Sequence, residues 1–411
     1  MTTAVQNDVR EQAAQRFAQL GWPAMELEEW KYTNLAPIQR VEWREDDMEP
    51  RLQPGAGPAK AGAPFVAASL RNHAAAELIF VNGRIADVTG GAAGVEILPI
   101  GEASAHPMFE KHYARYADYQ RHAMTALNTA NAQNGAFIVV RDGAVVDGFI
   151  HLLFIGSGDG IWSHPRNLIA AGRGSQVTVV ETFVGSGNYF TNAVTEIVAG
   201  ESAHVDHYKI EREAAEAFHV GTVQVHQERA SNVISRSVAI GGALVRNEIN
   251  VALAGEGASL TLDGLFLLGN SQHIDNHTVI DHVKPHCDSL ELFKGILDDK
   301  SRGIFDGTII VRPDAQKTNS RQVNRNLLLS ETAIIDSKPT LEIHNDDVKC
   351  SHGSTIGQLD EEALFYLRAR GISDAEARRM LIYAFASEIV DRMKVESVKD
   401  QIRSAIVRLG R

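Results

Sequence analysis

The stretch AGESAHVDH, residues Ala199–His207, is the middle of three related segments that decide the fold. AGRGSQVTV precedes it at Ala171–Val179, and AGEGASLTL follows it at Ala254–Leu262. All three begin with Ala-Gly and carry a small residue at the fifth place and an apolar residue at the seventh. The starting points are 28 (199 − 171) and 55 (254 − 199) residues apart, and 55 is close to twice 28.

The slot between the second and third segments is weaker but related. QERASNVIS, starting at Gln227, keeps the small Ser231 and the apolar Val233 but not the Ala-Gly pair. A β-rich repeat of about 20 to 30 residues is typical of a solenoid, in which each coil buries the apolar side of the next. The alternative is a β-sandwich with coincidental Ala-Gly turns, and the repeat favours the solenoid.

Short β-prone runs surround the repeat from Phe137 to about Ile343, among them FIVV, HLLFI, QVTVVETFV and GTIIV. Gly, Asn and Asp punctuate these runs, and no helical pattern of ten or more residues intervenes. An alternating βαβ fold is therefore not expected. The predicted β core covers residues 135–357.

The N-terminal part has a helical pattern instead. Asp8–Leu20 places apolar residues on one face, and a second helical run covers Pro107 to about Ala132. Between them, QPGAGPAKAGAP at Gln53–Pro64 is predicted to be a flexible connection. Residues 1–134 are accordingly predicted to form a mostly helical domain.

The C-terminal part, residues 358–411, is also predicted to be helical. Asp360 can cap a first helix that ends before Gly371, and Ser373 with Glu376 forms a capping-box pair for the second. A wide apolar stripe continues through the second and third helices. It is expected either to pack on the end of the solenoid or to dock a partner.

Composition excludes several classes of function. The net charge of −12 argues against a general binder of nucleic acid or anionic membranes. Two cysteines are too few for a disulfide scaffold, no CxxC pair is present, and no apolar run approaches the roughly 20 residues of a membrane span. The N-terminus has no apolar segment typical of a signal peptide, so a cytoplasmic protein is expected.

One cysteine lies two residues from a histidine in DDVKCSHGST, where Cys350 and His352 flank a serine. On an extended segment both side chains share a face, which suits joint binding of a metal such as iron. Two ligands are too few for a closed site. The pair is therefore either part of a site completed by other residues or another subunit, or a small hydrophobe beside an unrelated histidine.

Two other clusters are candidate sites. On a strand, HIDNHTVIDH would place His273, Asp275, His277 and Asp281 on one face, either as metal ligands or, as the pattern favours, as a solvated face on which Asp and His pair through hydrogen bonds. His286 and Cys287 are adjacent, so on a strand they would point to opposite faces and make a poor joint site, unless they lie in a loop.

The stretch Arg312–Leu329 is basic and rich in amides. Arg321, Arg325, Asn324 and Asn326 are expected either to line an interface or to form amide ladders inside the coils. The sequence contains no Walker-type phosphate loop, no G-x-S-x-G and no H-E-x-x-H.

Several of these segments resemble the SufB/SufD family of iron–sulfur cluster assembly proteins. They are YFTNAVTEI (189–197), GIFDGTIIVRPDAQKTNSRQVNRNLLLS (303–330), KPTLEIHNDDVKCSHGST (338–355) and QLDEEALFYLRARGIS (358–373). The likeness runs from about Asn128 to the C-terminus, and the DDVKCSHG segment resembles the SufD branch.

The resemblance implies a mainly β fold, with a right-handed parallel β-helix core between N-terminal and C-terminal helical domains. It implies a non-catalytic scaffold that pairs with a SufB-like subunit through the β-helix and binds a SufC-type ABC ATPase through the C-terminal helices. It assigns a role in iron entry and cluster formation to His352, with Cys350 beside it. The iron or nascent cluster would be held transiently at the subunit interface.

Two alternatives stay open at this point. One is a SufB-like scaffold that forms a homodimer, which would be poor in thiols with only Cys287 and Cys350. The other is a stand-alone β-helix enzyme that acts on polysaccharide, although aromatic residues make up only 7% of the chain.

Overall fold

A computed structural model describes residues 4–46 and 68–407. The predicted flexible connection at Gln53–Pro64 lies outside the described residues. The strands are β1 (Ala76–Val81), β2 (Arg84–Gly90), β3 (Val95–Pro99), β4 (Ala136–Val140), β5 (Ile150–Ser157), β6 (Ile161–Ser163), β7 (Arg166–Ala171), β8 (Gln176–Ser186), β9 (Tyr189–Ala199), β10 (His204–Arg212), β11 (Phe218–Gln227), β12 (Asn232–Ile240), β13 (Leu244–Leu253), β14 (Ser259–Leu268), β15 (His273–His282), β16 (Asp288–Leu297), β17 (Arg302–Val311), β18 (Asn319–Leu328), β19 (Ile334–Ile343) and β20 (Lys349–Gly357).

These strands form two sheets. Sheet I has the order β2-β1-β5-β8-β10-β12-β14-β16-β18-β20, and sheet II has the order β19-β17-β15-β13-β11-β9-β7-β4-β3, with β6 beside β9. From β7 onward the chain alternates between the sheets, and neighbouring strands within each sheet are parallel. The predicted parallel β-helix is confirmed, and the sandwich alternative is wrong.

The Ala-Gly repeat has a clear physical origin. A Cβ on Gly200 would lie 2.8 Å from the carbonyl oxygen of Ala171, and one on Gly255 would lie 2.0 Å from the backbone nitrogen of Arg229. Each repeat glycine therefore stands where one coil's turn touches the turn of the preceding coil. The small residue at the fifth place is fully buried, as at Ala203.

The seventh residue of each repeat faces the lumen of the solenoid. Val177, Val205, Val233 and Leu260 stack in register on successive coils of sheet I and belong to one apolar core. Two coils explain the 55-residue spacing. The first, from His204 to Asn232, is 28 residues long (232 − 204), and the second, from Asn232 to Ser259, is 27 residues long (259 − 232). The weak slot at Gln227 is thus a genuine coil.

The helices are α1 (Ala4–Leu20), α2 (Ala36–Gln39), α3 (Pro107–His112), α4 (Ala123–Asn131), α5 (Glu361–Ala369), α6 (Asp374–Val390) and α7 (Glu396–Ile406), with 3-10 turns at Glu28–Trp30 and Ile100–Ala105. Two features of the N-terminal part differ from expectation. The helical run after Pro107 is two short helices, and β1, β2 and β3 lie in the range predicted to be mostly helical. Because β1 pairs with β5 and β3 with β4, these strands extend the two sheets.

The C-terminal helices begin where their caps predicted. The Asp360 side chain accepts from the backbone N–H groups of Glu362 and Ala363, and Ser373 accepts from Glu376. The apolar stripe packs on the outer flank of sheet I rather than on the solenoid end. Its core joins residues of α6 and α7 to outward-facing side chains such as Tyr208 and Leu265.

Candidate metal-binding site at the open end of the solenoid

The last coil leaves the solenoid open. Strand β20 pairs with β18 and β19 pairs with β17, and each is the outermost strand of its sheet in the described part of the chain. Ile334, Ile343 and Ile356 on these strands are large exposed apolar side chains, Ile356 being 53% exposed. An open edge with exposed apolar residues is a surface that proteins normally cover.

Cys350 and His352 lie on β20 and face the lumen side of this end. Cys350 is half-buried and packs against the luminal core. Because side chains alternate along a strand, His352 faces the same side, and its side chain is exposed. The prediction that both residues share one face of an extended segment is confirmed.

Each of the two residues stands on a column of polar side chains from the preceding coils. Cys350 lies in register with Ser320, and Ser320 with Ser289. His352 lies in register with Gln322, and Gln322 with Glu291. The serine column is hydrogen-bonded, with Ser289 Oγ and Ser320 Oγ separated by 2.6 Å.

Burial raises the pKa of the Cys350 thiol, opposed in part by a hydrogen bond from the Ser320 backbone. A thiol binds metals as the thiolate, so this shift weakens Cys350 as a ligand near neutral pH. An imidazole can coordinate in its neutral form. Of the two side chains, His352 is therefore the better placed to bind a metal.

The described residues do not complete a metal site. Among them, no group of three or more His, Cys, Asp or Glu side chains is arranged to hold a metal ion. Cys350, which is half-buried, and His352, which is exposed, are fewer ligand-type side chains than a closed site requires.

A family model described as "SUF system FeS cluster assembly, SufBD core domain" matches residues 154–385, and another, "SufBD protein N-terminal region", matches residues 1–152. The chain belongs to the SufBD family. The iron–sulfur cluster assembly protein SufD of Escherichia coli is 31% identical over 96% of this chain and 91% of its own length.

Other members of the SufBD family are similarly related. An iron–sulfur cluster assembly SufBD family protein of Synechocystis sp. is 30% identical over 97% of this chain and 89% of its own length. The SufD protein of Bacillus subtilis is 29% identical over 70% of this chain and 67% of its own length. The resemblance drawn from the sequence is thus confirmed, and a role in iron–sulfur cluster assembly is supported for this SufBD member.

The second histidine cluster has a structural role. On β15, the Asp275 carboxylate lies 2.6 Å from Arg246 Nη1 and 3.0 Å from His277 Nε2, and Arg246 Nη2 lies 3.0 Å from Glu248. Although burial opposes ionisation, the charges of His277 and Arg246 lower the pKa of Asp275. The hydrogen-bonded pairing that the pattern favoured is present at Asp275 and His277, but the solvated face expected with it is wrong for Asp275, which is fully buried.

His286 and Cys287 do not form a joint site. His286 lies in the turn before β16 with a positive φ of 59°, and Cys287 is fully buried. The Cys287 thiol donates to the carbonyl oxygen of Gly255 at 3.3 Å. Cys287 therefore acts as a buried structural residue.

The basic and amide-rich stretch has buried and outward-facing members, and its Asn–Asn hydrogen bond runs along one strand rather than as a ladder between coils. Asn324 and Asn326 are buried inside the coil, where Asn326 Nδ2 donates to Asn324 Oδ1 at 2.5 Å along the same strand. Arg325 points outward and binds Glu388 of α6 at 3.1 Å. Arg321 is exposed.

Three large apolar side chains of the first two C-terminal helices are exposed, and the Arg370 guanidinium lies 3.6 Å from the ring centroid of one of them, Tyr366. Phe365 is 73% exposed, Tyr366 57% and Met380 of the next helix 43%. On α5 itself only Leu364 is buried.

In the described part of the chain, no helix is both long and apolar enough to cross a membrane.

Sequence patterns did not identify Glu291 and Gln322, which lie beneath His352. The number of residues per coil could have identified them, because the three residues are 31 (322 − 291) and 30 (352 − 322) residues apart. The 28-residue repeat found upstream would have placed each of them at the wrong position by two or three residues.

Proposed function

We propose that this chain is a SufD-type scaffold subunit that completes its metal site by pairing with a SufB-like subunit. The observation that carries the proposal is the incomplete ligand pair, Cys350 and His352, on the open end of the solenoid. A parallel β-helix end presents unpaired backbone groups along its outermost strands, which a second β-helix can cover. The missing ligands would then come across that interface.

His352 is proposed as this subunit's ligand to incoming iron or to the nascent cluster, with Cys350 in a supporting role. His352 is exposed at the opening, whereas Cys350 is half-buried against the luminal core. Iron and the cluster are cargo of the complex in this scheme, bound transiently at the interface. The chain itself acts as a non-catalytic cytoplasmic scaffold.

The exposed patch of Phe365, Tyr366 and Met380 is proposed to dock a SufC-type ABC ATPase. The remainder of the C-terminal stripe is buried against sheet I, so this patch is the part left free for a partner. Exposed aromatic side chains of this kind are frequent anchors of protein interfaces.

Co-purification from the native host tests the assembly. The expected result is recovery of the chain with both a SufB-like subunit and an ABC ATPase. Recovery of a homodimer without a SufB-like subunit would favour the alternative in which two copies close each other's open ends.

The ligand role is tested by His352→Ala, with His344→Ala as a matched control on another exposed histidine of the last coil. We expect His352→Ala to impair cluster formation while the complex still assembles, and His344→Ala to have no effect. Normal anaerobic cluster reconstitution by the His352 variant would refute the ligand assignment.

Docking is tested by the double variant Phe365→Ala and Tyr366→Ala. Deleting everything after Leu359 is a less clean test, because it would also uncover the apolar flank of sheet I. The control is Val145→Ala, which removes an exposed apolar side chain outside the C-terminal helices. Loss of ATPase binding is expected for the double variant alone, and equal binding by both variants would exclude this docking surface.

A further inference from the structure

Three luminal side chains lie one above another on the last three coils of sheet I. Strand pairing places Glu291 beside Gln322 and Gln322 beside His352, all on the same face. Neighbouring strands are about 4.8 Å apart, so the backbones of Gln322 and His352 are one strand spacing apart and their side chains leave the same face of the sheet. The column runs from the fully buried Glu291 to the exposed His352.

The hydrogen bonds of this column leave two buried acceptors without a partner among the described residues, Gln322 Oε1 and Glu291 Oε1, and of these Gln322 Oε1 belongs to the residue beside His352. Gln322 Nε2 donates to Glu291 Oε2 at 2.6 Å, so the amide nitrogen points toward the preceding coil. Gln322 Oε1 is buried and has no hydrogen-bond partner among the described residues. A buried carbonyl oxygen without a donor is costly, by about 1–3 kcal/mol.

The neighbouring column differs in this respect. Ser320, beneath Cys350, is engaged by Ser289, and Ser289 also lies 2.9 Å from His282 Nε2. The hydroxyl groups of that column are thus already paired with one another. Of these two columns, the one beneath His352 holds a buried side-chain oxygen with no partner among the described residues.

We propose that Gln322 is a positioning residue for His352: its Oε1 accepts a hydrogen bond from one imidazole N–H, which directs the other ring nitrogen out of the solenoid end toward a metal. Metal-binding histidines commonly donate their second N–H in this way, which selects the tautomer and the ring orientation. Glu291 anchors Gln322 by holding its amide nitrogen. This inference rests on the ligand role proposed for His352.

The test compares Gln322→Leu with Gln322→Glu in the assembled complex. Leucine removes the acceptor oxygen Oε1 of Gln322 and, unlike methionine, introduces no sulfur that could bind metal. Glutamate retains an acceptor oxygen. The control is Gln227→Leu, the same change at a fully buried glutamine on an earlier coil. The probe is anaerobic titration with Fe²⁺, and the difference between the wild type and His352→Ala defines the iron binding that depends on His352.

We expect Gln322→Leu to weaken that iron binding about 10- to 100-fold, the usual cost of losing such a partner. Gln322→Glu should retain it, and Gln227→Leu should leave it unchanged. A merely structural role would not be rescued by glutamate in preference to leucine. If Gln322→Leu does not assemble, Gln322→Ser, whose short side chain cannot reach the imidazole, should show the same loss.

Two results would overturn the inference and are distinguishable from failure of the proposed function. If His352→Ala loses iron binding but Gln322→Leu retains it, the positioning role is wrong and the ligand role stands. If glutamate and leucine at position 322 weaken binding equally, the acceptor role is wrong. If His352→Ala itself binds Fe²⁺ like the wild type, the proposed function fails, and the positioning role fails with it.

Discussion

Glu291 should destabilise the solenoid at neutral and alkaline pH, where its buried carboxyl ionises. Glu291→Gln should remove this loss of stability. Its carboxyl is fully buried, and burial raises its pKa from 4.5 to about 7, an effect that the hydrogen bond from Gln322 opposes only in part. One pKa unit corresponds to about 1.4 kcal/mol. Ionising Glu291 in the folded protein therefore costs up to about 3 kcal/mol.

The direction of the pH dependence follows from proton binding. Between pH 4.5 and about 7 the folded state holds a proton on Glu291 that the unfolded state has lost, so stability falls as the pH rises. Below this window the carboxyl is neutral in both states and the cost vanishes. Glutamine does not titrate, so the advantage of Glu291→Gln over the wild type should grow from pH 5 to pH 8.

Hydrogen exchange of the peptide that covers β16 measures this effect locally, with both proteins compared at each pH. A gain of about 3 kcal/mol corresponds to exchange slowed roughly 100-fold in the variant at pH 8. The control is Glu211→Gln: burial alone would raise the pKa of Glu211, but the charges of Lys209 and His219 lower it to about 2, so this variant should lose stability at neutral pH. If the advantage of Glu291→Gln were the same at pH 5 and pH 8, the reasoning would be refuted.

Three further predictions concern stability. Arg246→Met should lower the free energy of unfolding by about 3–5 kcal/mol, because it leaves Asp275 and its neighbours as uncompensated buried charges; denaturant unfolding measures the loss. Asp360→Ala removes the cap of α5 and should cost about 1 kcal/mol, detected as faster exchange of the first-turn amides, whereas Asp360→Asn should be nearly neutral. Gly264→Ala should destabilise β14 by about 1–3 kcal/mol or more, since its Cβ would lie 2.1 Å from the Phe293 ring; a thermal melt unchanged from the wild type would contradict this.

Local patterns in the sequence predicted much of the fold because they report contacts between near neighbours. Alternation on an extended segment placed Cys350 and His352 on one face, and the caps at Asp360 and Ser373 located two helix starts. The Ala-Gly repeat predicted the coils, since each turn touches the turn before it and a Cβ on Gly200 or Gly255 would overlap that turn.

Features that depend on distant residues were not predictable in the same way. The N-terminal strands β1 and β3 extend sheets whose other strands come much later in the chain, so their local pattern alone did not identify them. The position of the apolar C-terminal stripe was also undecided, because the same stripe could cover an end or a flank. Only the packed structure shows that it covers the flank and leaves the end open.

The sequence by itself determined that this is a β-solenoid protein with a Cys-His pair on one face near its last coil. The tertiary structure decided which residues lie beneath that pair. Coil lengths drift from 27 residues between Asn232 and Ser259 to 31 between Glu291 and Gln322, and each change moves the register of every later coil. Because register is set by turns whose length varies, the contact between Gln322 and Glu291, and its alignment with His352, emerged only when the coils were stacked.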